Sequence, residues 1–586
     1  MTVFLLLLTL AAGGFIPESV SLISRSNGLD YPEKENGRTE YEMGDINGDG
    51  HPDIVSLGDH ANPGGPSGQQ GIMVWFGDGQ GNWTVAKEGG FGYGGCALGD
   101  LDIDGVMDIA FGIHHNYSGG LGSRLIEAAL GNGTGTGWTQ YSTGLAENGE
   151  SWGMFATDLA DFDNDGLLDI ISQSFGSGNG VRVYRNNGDG SWTQHWSLPE
   201  WNSNYTLETG DFNADGNVDF ICTRWGDSQK TNVYLGNGAF GFTRNHDGLP
   251  GVDIGAVDTG DFNNDGKSDI LVSFYSDSGA RVYSLSETTG QWEDHSVGLP
   301  GGSGWEMVQF GHFNGDDFLD LVLYSAPDGI LYLGNGQGSW TPDAEFSFST
   351  PGYYSAIRSH TDFDHDGRHD ILVQAAEGSV YTYTNRVMAL SPWEEPEELS
   401  LRLVSPIGGE YLPAGSVRFV SWLTAVPQAL GQASITLELS QNGPGGPWET
   451  FAQGIPDNCR YQWTLPQVNS AECRLRITAS AGGQEYQYVS PGDFTIAQLT
   501  GTSEDTAAPA DPISMRVYPN PSVSGATVET PSARPGALLE VYDVSGRLVH
   551  RQAHENRTII SELPPGVYVV VLSLPAGRVT AHLVQL

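Results

Sequence analysis

From residue 45 to residue 386 the chain alternates short apolar runs with polar, glycine-rich turns, a rhythm that leaves no room for long helices. The runs are rich in β-branched and aromatic residues: DIVSLG (53–58), DIAFGI (108–113), DIISQS (169–174), DFICTR (219–224), DILVSF (269–274), DLVLYS (320–325) and DILVQA (370–375). A second run follows in the same register, as in IMVWFGDG, VRVYRNNG and TNVYLGNG. After it come a Gly-rich turn and an aromatic residue that opens a further strand, at Trp83, Trp138, Trp192, Phe242, Trp292 and Trp340. The pattern predicts an all-β array.

A nine-residue string precedes each first run: DINGDGHPD (45–53), DLDIDGVMD (100–108), DFDNDGLLD (161–169), DFNADGNVD (211–219), DFNNDGKSD (261–269), HFNGDDFLD (312–320) and DFDHDGRHD (362–370). Successive copies start 50 to 61 residues apart, which suits one four-stranded propeller blade per repeat. The seventh repeat lacks the closing aromatic strand. The segment SVSLISRSNGL (19–29) resembles the missing piece, as in WTQYSTGL (138–145) and WEDHSVGL (292–299). It is expected to supply the outer strand of the last blade, so that first and last repeats interlock and leave no open edge.

Oxygen-bearing residues at positions one, three, five and nine, with Gly at six, suit a hard cation. Position seven offers a backbone carbonyl, and oxygen-only ligation favours Ca²⁺ over zinc or copper. The expected ligands are Asp45, Asn47, Asp49, His51 and Asp53 in the first string and Asp100, Asp102, Asp104, Val106 and Asp108 in the second. They are Asp161, Asp163, Asp165, Leu167 and Asp169 in the third, and Asp211, Asn213, Asp215, Asn217 and Asp219 in the fourth. The fifth offers Asp261, Asn263, Asp265, Lys267 and Asp269, and the seventh Asp362, Asp364, Asp366, Arg368 and Asp370. The sixth departs, with His312 at position one and Asp317 in place of Gly. It keeps Asn314, Asp316 and Asp320, and a non-Gly residue there is strained if the turn needs a positive φ. Six or seven Ca²⁺ sites are therefore expected. A single Asp-Gly turn would fit a plain hairpin, but seven in register do not.

These strings resemble the FG-GAP/VCBS repeats of integrin-α-like seven-bladed β-propellers, over residues 18–387. The resemblance implies Ca²⁺ in the loop joining the first two strands of each blade, and ligands on the opposite face. Residues just upstream of the strings ring that face: Tyr93, Trp152, Tyr205, Trp305 and Tyr354, with His114 and His115 in a long loop. Aromatic rings beside Asn, Asp and Gly make a carbohydrate or peptide platform, and packing between blades is the alternative.

Composition narrows the classes. The chain has 586 residues and a formal charge of −46, with 72 Asp plus Glu against 26 Lys plus Arg. Such a field repels phosphate backbones, which argues against nucleic acid as a partner. The apolar run VFLLLLTLAAGG (3–14) is too short to span a bilayer and ends in small residues, so 1–17 is read as a secretory signal peptide, with no transmembrane span expected. No Lys or Arg precedes it, so either the true start lies upstream or the α-amino group supplies the positive end.

After 388 the period changes. A Pro/Glu-rich link leads into β-type segments that resemble an Ig-like β-sandwich (388–498). A bridge between Cys459 and Cys473 would close a loop of about 15 residues, worth about 3 kcal/mol. Residues 499–512 form a polar Thr/Ala/Pro linker. Residues 513–586, with VYPNPS (517–522), DVSGR (543–547), PPGVY (564–568) and a terminal apolar strand, resemble the type IX secretion C-terminal sorting domain. That resemblance implies the outer-membrane secretion machinery as a partner and a secreted or cell-surface location.

No nucleophile elbow, P-loop or HExxH motif occurs, so no catalytic residue is assigned. The leading reading is a non-catalytic, calcium-binding adhesion module for an extracellular carbohydrate or protein. The alternative is a polysaccharide lyase or dehydratase on the open face, with His114, His115, Tyr117 and Arg124 as candidates for proton abstraction. A third is a spacer.

Overall fold

The computed structural model describes residues 20–29, 40–57, 71–92, 94–113, 115–116, 120–146, 154–174, 180–198, 206–223, 231–252, 254–274, 279–302, 304–348, 356–377 and 384–498, and the segments 516–518, 526–529, 537–543, 547–554, 557–561, 563–574 and 577–585. Among these the only helical turn is Gln428–Leu430, and no helix is long and apolar enough to cross a membrane.

Among the described residues, seven four-stranded antiparallel sheets make up the first part of the chain. The first orders Tyr41–Gly44, Asp53–Leu57, Ile72–Gly77 and Trp83–Glu88 from one edge to the other. The same up-and-down order begins again at Cys96–Gly99, Met154–Ala160, Leu207–Gly210, Ile254–Gly260 and Met307–Gly311. The last sheet takes Ile357–Ser359, Ile371–Glu377 and Thr384–Ser391 from the end of the array and Ile23–Ser24 from before its beginning. Each sheet's first strand neighbours that of the next, and Ile357–Ser359 neighbours Tyr41–Gly44, which closes a ring in the manner of a β-propeller. The six aromatic residues named above begin the fourth strands, and five of them, all but Phe242, are buried.

A recurrent turn ties neighbouring sheets. The backbone N–H of Trp83, Trp192, Trp292 and Trp340 donates to the carbonyl of Asn27, Thr143, Asp247 and Val297 at 2.7–2.9 Å. The next residue is always glycine, at φ near +95° in Gly28, Gly144, Gly248 and Gly298. A Cβ on any of them would lie only 2.1–2.3 Å from the tryptophan carbonyl oxygen, so no side chain fits. The N-terminal SNGL thus carries the same joint as the internal repeats.

The following segment is a β-sandwich of a three-stranded sheet (Ser400–Ser405, Val417–Ala425, Arg460–Thr464) and a six-stranded sheet centred on Ser470–Ala481. Between them lie Trp422, Ile435, Leu437, Leu475 and Ile477, each at most 1 % exposed. This sandwich and the ring form one compact unit ending at Leu499. Cys459 and Cys473 are both free thiols, which corrects the expected bridge. The Cys459 thiol sits at a turn with φ +68° and donates to the Asp362 carbonyl at 3.3 Å, while Cys473 lies in the sandwich core.

Residues from Thr500 onward form a second unit. It holds a three-stranded sheet (Arg516–Tyr518, Ala526–Glu529, Arg557–Ile560) and a four-stranded one (Leu548–His554, Ala537–Asp543, Gly566–Leu574, Gly577–Gln585). Its core gathers Val528, Leu539, Val541, Ile560, Val570 and Leu572. The expected signal segment 1–17 and linker 499–512 lie outside the described residues.

Candidate metal centre

Every nine-residue string is the connection between the first and second strands of its sheet. Six of the seven share one hydrogen-bond scheme. The position-one carboxylate accepts the N–H groups of positions five and six: Asp45 from Asp49 and Gly50 (both 3.0 Å), Asp161 from Asp165 and Gly166 (both 3.0 Å). Asp100, Asp211, Asp261 and Asp362 repeat it at 2.8–3.2 Å. The position-nine carboxylate accepts the N–H of position two, as Asp53 does from Ile46 at 3.0 Å. In five loops its other oxygen accepts from the end of the third strand, as Asp53 does from Gly77 at 2.9 Å, but not in Asp269 or Asp370. Each loop thus folds its own carboxylates inward, because the backbone donors of the turn hold them there.

The turn needs two left-handed residues. Position six is Gly at φ +82° to +93° in Gly50, Gly105, Gly166, Gly216, Gly266 and Gly367. Position four is left-handed in all seven, including the non-glycines Ile103, Asn164, Ala214, Asn264 and His365 at φ +56° to +62°. The sequence pattern did not reveal this second requirement, since Ile and Ala at position four look ordinary. Position six of the odd loop, Asp317, does not take up a positive φ. The strain expected there is therefore absent: the loop has changed its path instead.

Oxygens converge accordingly. Asp100, Asp102 and Asp108, then Asp161, Asp163 and Asp169, then Asp362, Asp364 and Asp370, each place carboxylate oxygens within 4.8 Å of one another. These are the strings with Asp at position three; the others carry Asn there. Burial pushes these acids up, ahead of mutual repulsion: Asp53 and Asp219 to about 8, Asp108 and Asp261 to about 7, Asp163 to about 6. Four buried carboxylate oxygens, on Asp163, Asp269, Asp364 and Asp370, have no hydrogen-bond partner. Clustered, buried, partly orphaned carboxylates are unfavourable unless a cation joins them, so the donor set fits a hard divalent ion. Protein cations offset part of the charge: Arg185 meets Asp163 and Asp165 at 2.8 and 2.7 Å, and Arg25 meets Asp364 at 2.8 Å.

The metal-loop face is also where the sandwich docks. Val417 N–H donates to the Asp161 carboxylate at 2.9 Å, and Arg418 donates to the Asn164 side chain and the Gly216 carbonyl at 3.1 and 2.6 Å. Gln462 both accepts from Asp100 N–H and donates to its carbonyl, at 2.9 and 2.8 Å. Gln432 donates to the Asp49 carbonyl at 3.0 Å. Beneath the sandwich a cavity of about 440 Å³ is lined by Glu42, Asp158, Glu208, Asp258, Arg358 and Arg460, among others. There Arg358 pairs with Glu42 and Glu208 at 2.5 and 3.3 Å. A second cavity of about 620 Å³ lies where the first and seventh loops meet the sandwich, beside Arg25 and Trp393.

The residues expected to bind a ligand are mostly not visible in this way. Tyr93, His114, Trp152, Tyr205 and Tyr354 lie outside the described residues. The backbone of His115 pairs with Gly92 in a two-stranded ribbon, and Trp305 is half-buried against the apolar core of the sixth sheet.

Comparison with known proteins agrees with these elements. The FG-GAP-like repeat family matches residues 45–111, 161–222, 211–272 and 312–373, which together contain all seven strings. The secretion system C-terminal sorting domain family matches residues 516–584. No curated protein sequence matches the chain. Among solved structures, an N-acetylglucosamine-recognising lectin of Agrocybe aegerita is 18 % identical over 53 % of this chain and 81 % of its own, with a TM-score of 0.38. The extracellular domain of a putative hybrid two-component system from B. thetaiotaomicron is 11 % identical over 79 % of this chain and 75 % of its own, with a TM-score of 0.25.

Proposed function

For a β-rich chain that carries FG-GAP-like repeats and a sorting domain directing it to the cell surface or medium, we propose a calcium-stabilised propeller that presents a binding surface to an extracellular carbohydrate or protein. One observation carries the calcium reading. Six loops repeat the same inward-turned carboxylate scheme, and buried carboxylate oxygens in the third, fifth and seventh loops have no hydrogen-bond partner. In each, Ca²⁺ would be held by side-chain oxygens of positions one, three, five and nine and the carbonyl of position seven. Its charge would keep ionised the acids that burial otherwise drives toward neutrality. Affinities of roughly 10⁻⁴ to 10⁻³ M suffice outside the cell.

The binding role rests on placement. The sandwich covers part of the metal-loop face, which leaves the opposite mouth of the ring for a partner. Binding to an immobilised glycan and surface-protein panel at millimolar Ca²⁺ tests it. Retention that disappears in EGTA, and in Trp305→Ala while that variant stays folded at the assay temperature, is expected; no retention on any member at millimolar Ca²⁺ removes the adhesion role.

A further inference from the structure

The sixth loop solves the charge problem of its neighbours in a different way, an inference that rests on reading the other six as calcium sites. At position one stands His312, whose Nδ1 lies 3.1 Å from the carbonyl of Phe318. Phe318 is position seven, so the carbonyl that each other loop has available for an ion is here joined to a ring nitrogen. Position six, Asp317, abandons the left-handed turn, and its carbonyl instead accepts the Asn264 side chain of the fifth loop at 3.1 Å. The remaining acids, Asp316 and Asp320, keep their backbone partners: Asp316 accepts Phe318 N–H at 2.9 Å, and Asp320 accepts Phe313 and Gly334 N–H at 3.0 and 2.9 Å.

Into this loop the sandwich inserts Arg402. Its Nη1 donates to the Asp316 carbonyl, and its charge faces Asp317, Asp320 and Asp316. Nε and Nη2 are sealed from water without a hydrogen-bond partner, so carboxylate charge is what compensates the guanidinium there. Arginine stays charged at any relevant pH, and its planar fork suits several oxygens at once.

We propose that Arg402 supplies in the sixth loop the positive charge that calcium supplies in the other six, making this loop a metal-free lock between ring and sandwich. Six loops then report calcium, and the sixth holds the sandwich at any calcium level.

Metal analysis of the full chain after equilibration with Ca²⁺ tests this. Wild type is expected to hold six ions; Asp165→Asn lowers the count by one, and Asp316→Asn leaves it at six. His312→Asp with Asp317→Gly restores the repeat's string, yet holds six while Arg402 is present and seven once Arg402→Gln is added. Seven ions in wild type, or seven in the His312→Asp, Asp317→Gly protein with Arg402 intact, overturns the proposal. So does a drop to five in Asp316→Asn, which needs no redesigned loop to fold. No ions in wild type would instead defeat the calcium reading itself.

Discussion

Ser24 lies opposite Leu390 in an antiparallel ladder, although almost the whole ring separates them in sequence. The pairing joins the first described strand to the last sheet and leaves the ring without a free end, so its stability depends on a joint built from both termini of the array. Gly28 belongs to that joint, with φ +95° and the Trp83 carbonyl where a Cβ would be. Gly28→Ala is expected to cost about 3 kcal/mol or more, from a left-handed alanine plus a backbone collision. Gly48→Ala is the control. It has φ +73° with open space around it, at a position where other loops carry Ile or Ala, so about 1 kcal/mol is expected. Thermal melts of the two variants compare them; equal losses would mean that the N-terminal joint is not part of the closure.

Calcium should raise the melting temperature strongly. A site at tenfold excess of ion over its dissociation constant contributes about 1.4 kcal/mol, and six of them roughly 8 kcal/mol. Mg²⁺ prefers a tight octahedral shell with retained waters and should give a much smaller shift. Melts in Ca²⁺, Mg²⁺ and EGTA measure this, and identical curves would contradict the metal reading.

Loss of Asp161 and loss of His312 should separate in kind. Asp161→Ala removes a cage oxygen and also the acceptor for Val417, so it lowers the melting point most in Ca²⁺ and less in EGTA. His312→Ala breaks a loop hydrogen bond and leaves a cavity beside His369, a loss of about 1–3 kcal/mol that should be equal in both buffers. The buried contacts of His312 make the two costs comparable and their calcium dependence the discriminating readout.

The pH dependence follows from the raised acids. In EGTA, Asp53 and Asp219 titrate near 8 and Asp108 near 7, all well above the unfolded carboxylate value near 4. A folded-state pKa raised in this way gives stability that is complete below about pH 4 and lost as pH rises through 7–8. The metal-free protein should therefore melt higher at pH 5 than at pH 8. Because Ca²⁺ binds the ionised form, the difference between Ca²⁺ and EGTA melts should widen over the same range. Asp53→Asn should flatten part of the EGTA slope; an unchanged slope would assign it to other groups.

Much of the candidate site was legible because it is local. The nine-residue strings carry their carboxylates, in six of them their turn glycine, and their entry into the second strand within one stretch, and the backbone N–H groups that hold Asp161 lie four and five residues away. The closing role of residues 19–29 was legible too, since SNGL repeats a joint seen inside the array. Position four was not, because its left-handed backbone leaves no mark when the residue is Ile103 or Ala214. The Cys459–Cys473 bridge was misread because spacing says nothing of direction, and one thiol turns to the ring while the other fills the sandwich.

The amino-acid sequence by itself determined the repeated sheets, the carboxylate loops and the sorting tail, since each depends on residues adjacent along the chain. Only the tertiary structure decided where the sandwich sits and which cation serves the sixth loop. Arg402 lies 86 residues from the Asp316 carbonyl it meets, and no local pattern ties a guanidinium on one domain to an incomplete loop on another. Electrostatic compensation across that distance exists only once the chain is folded.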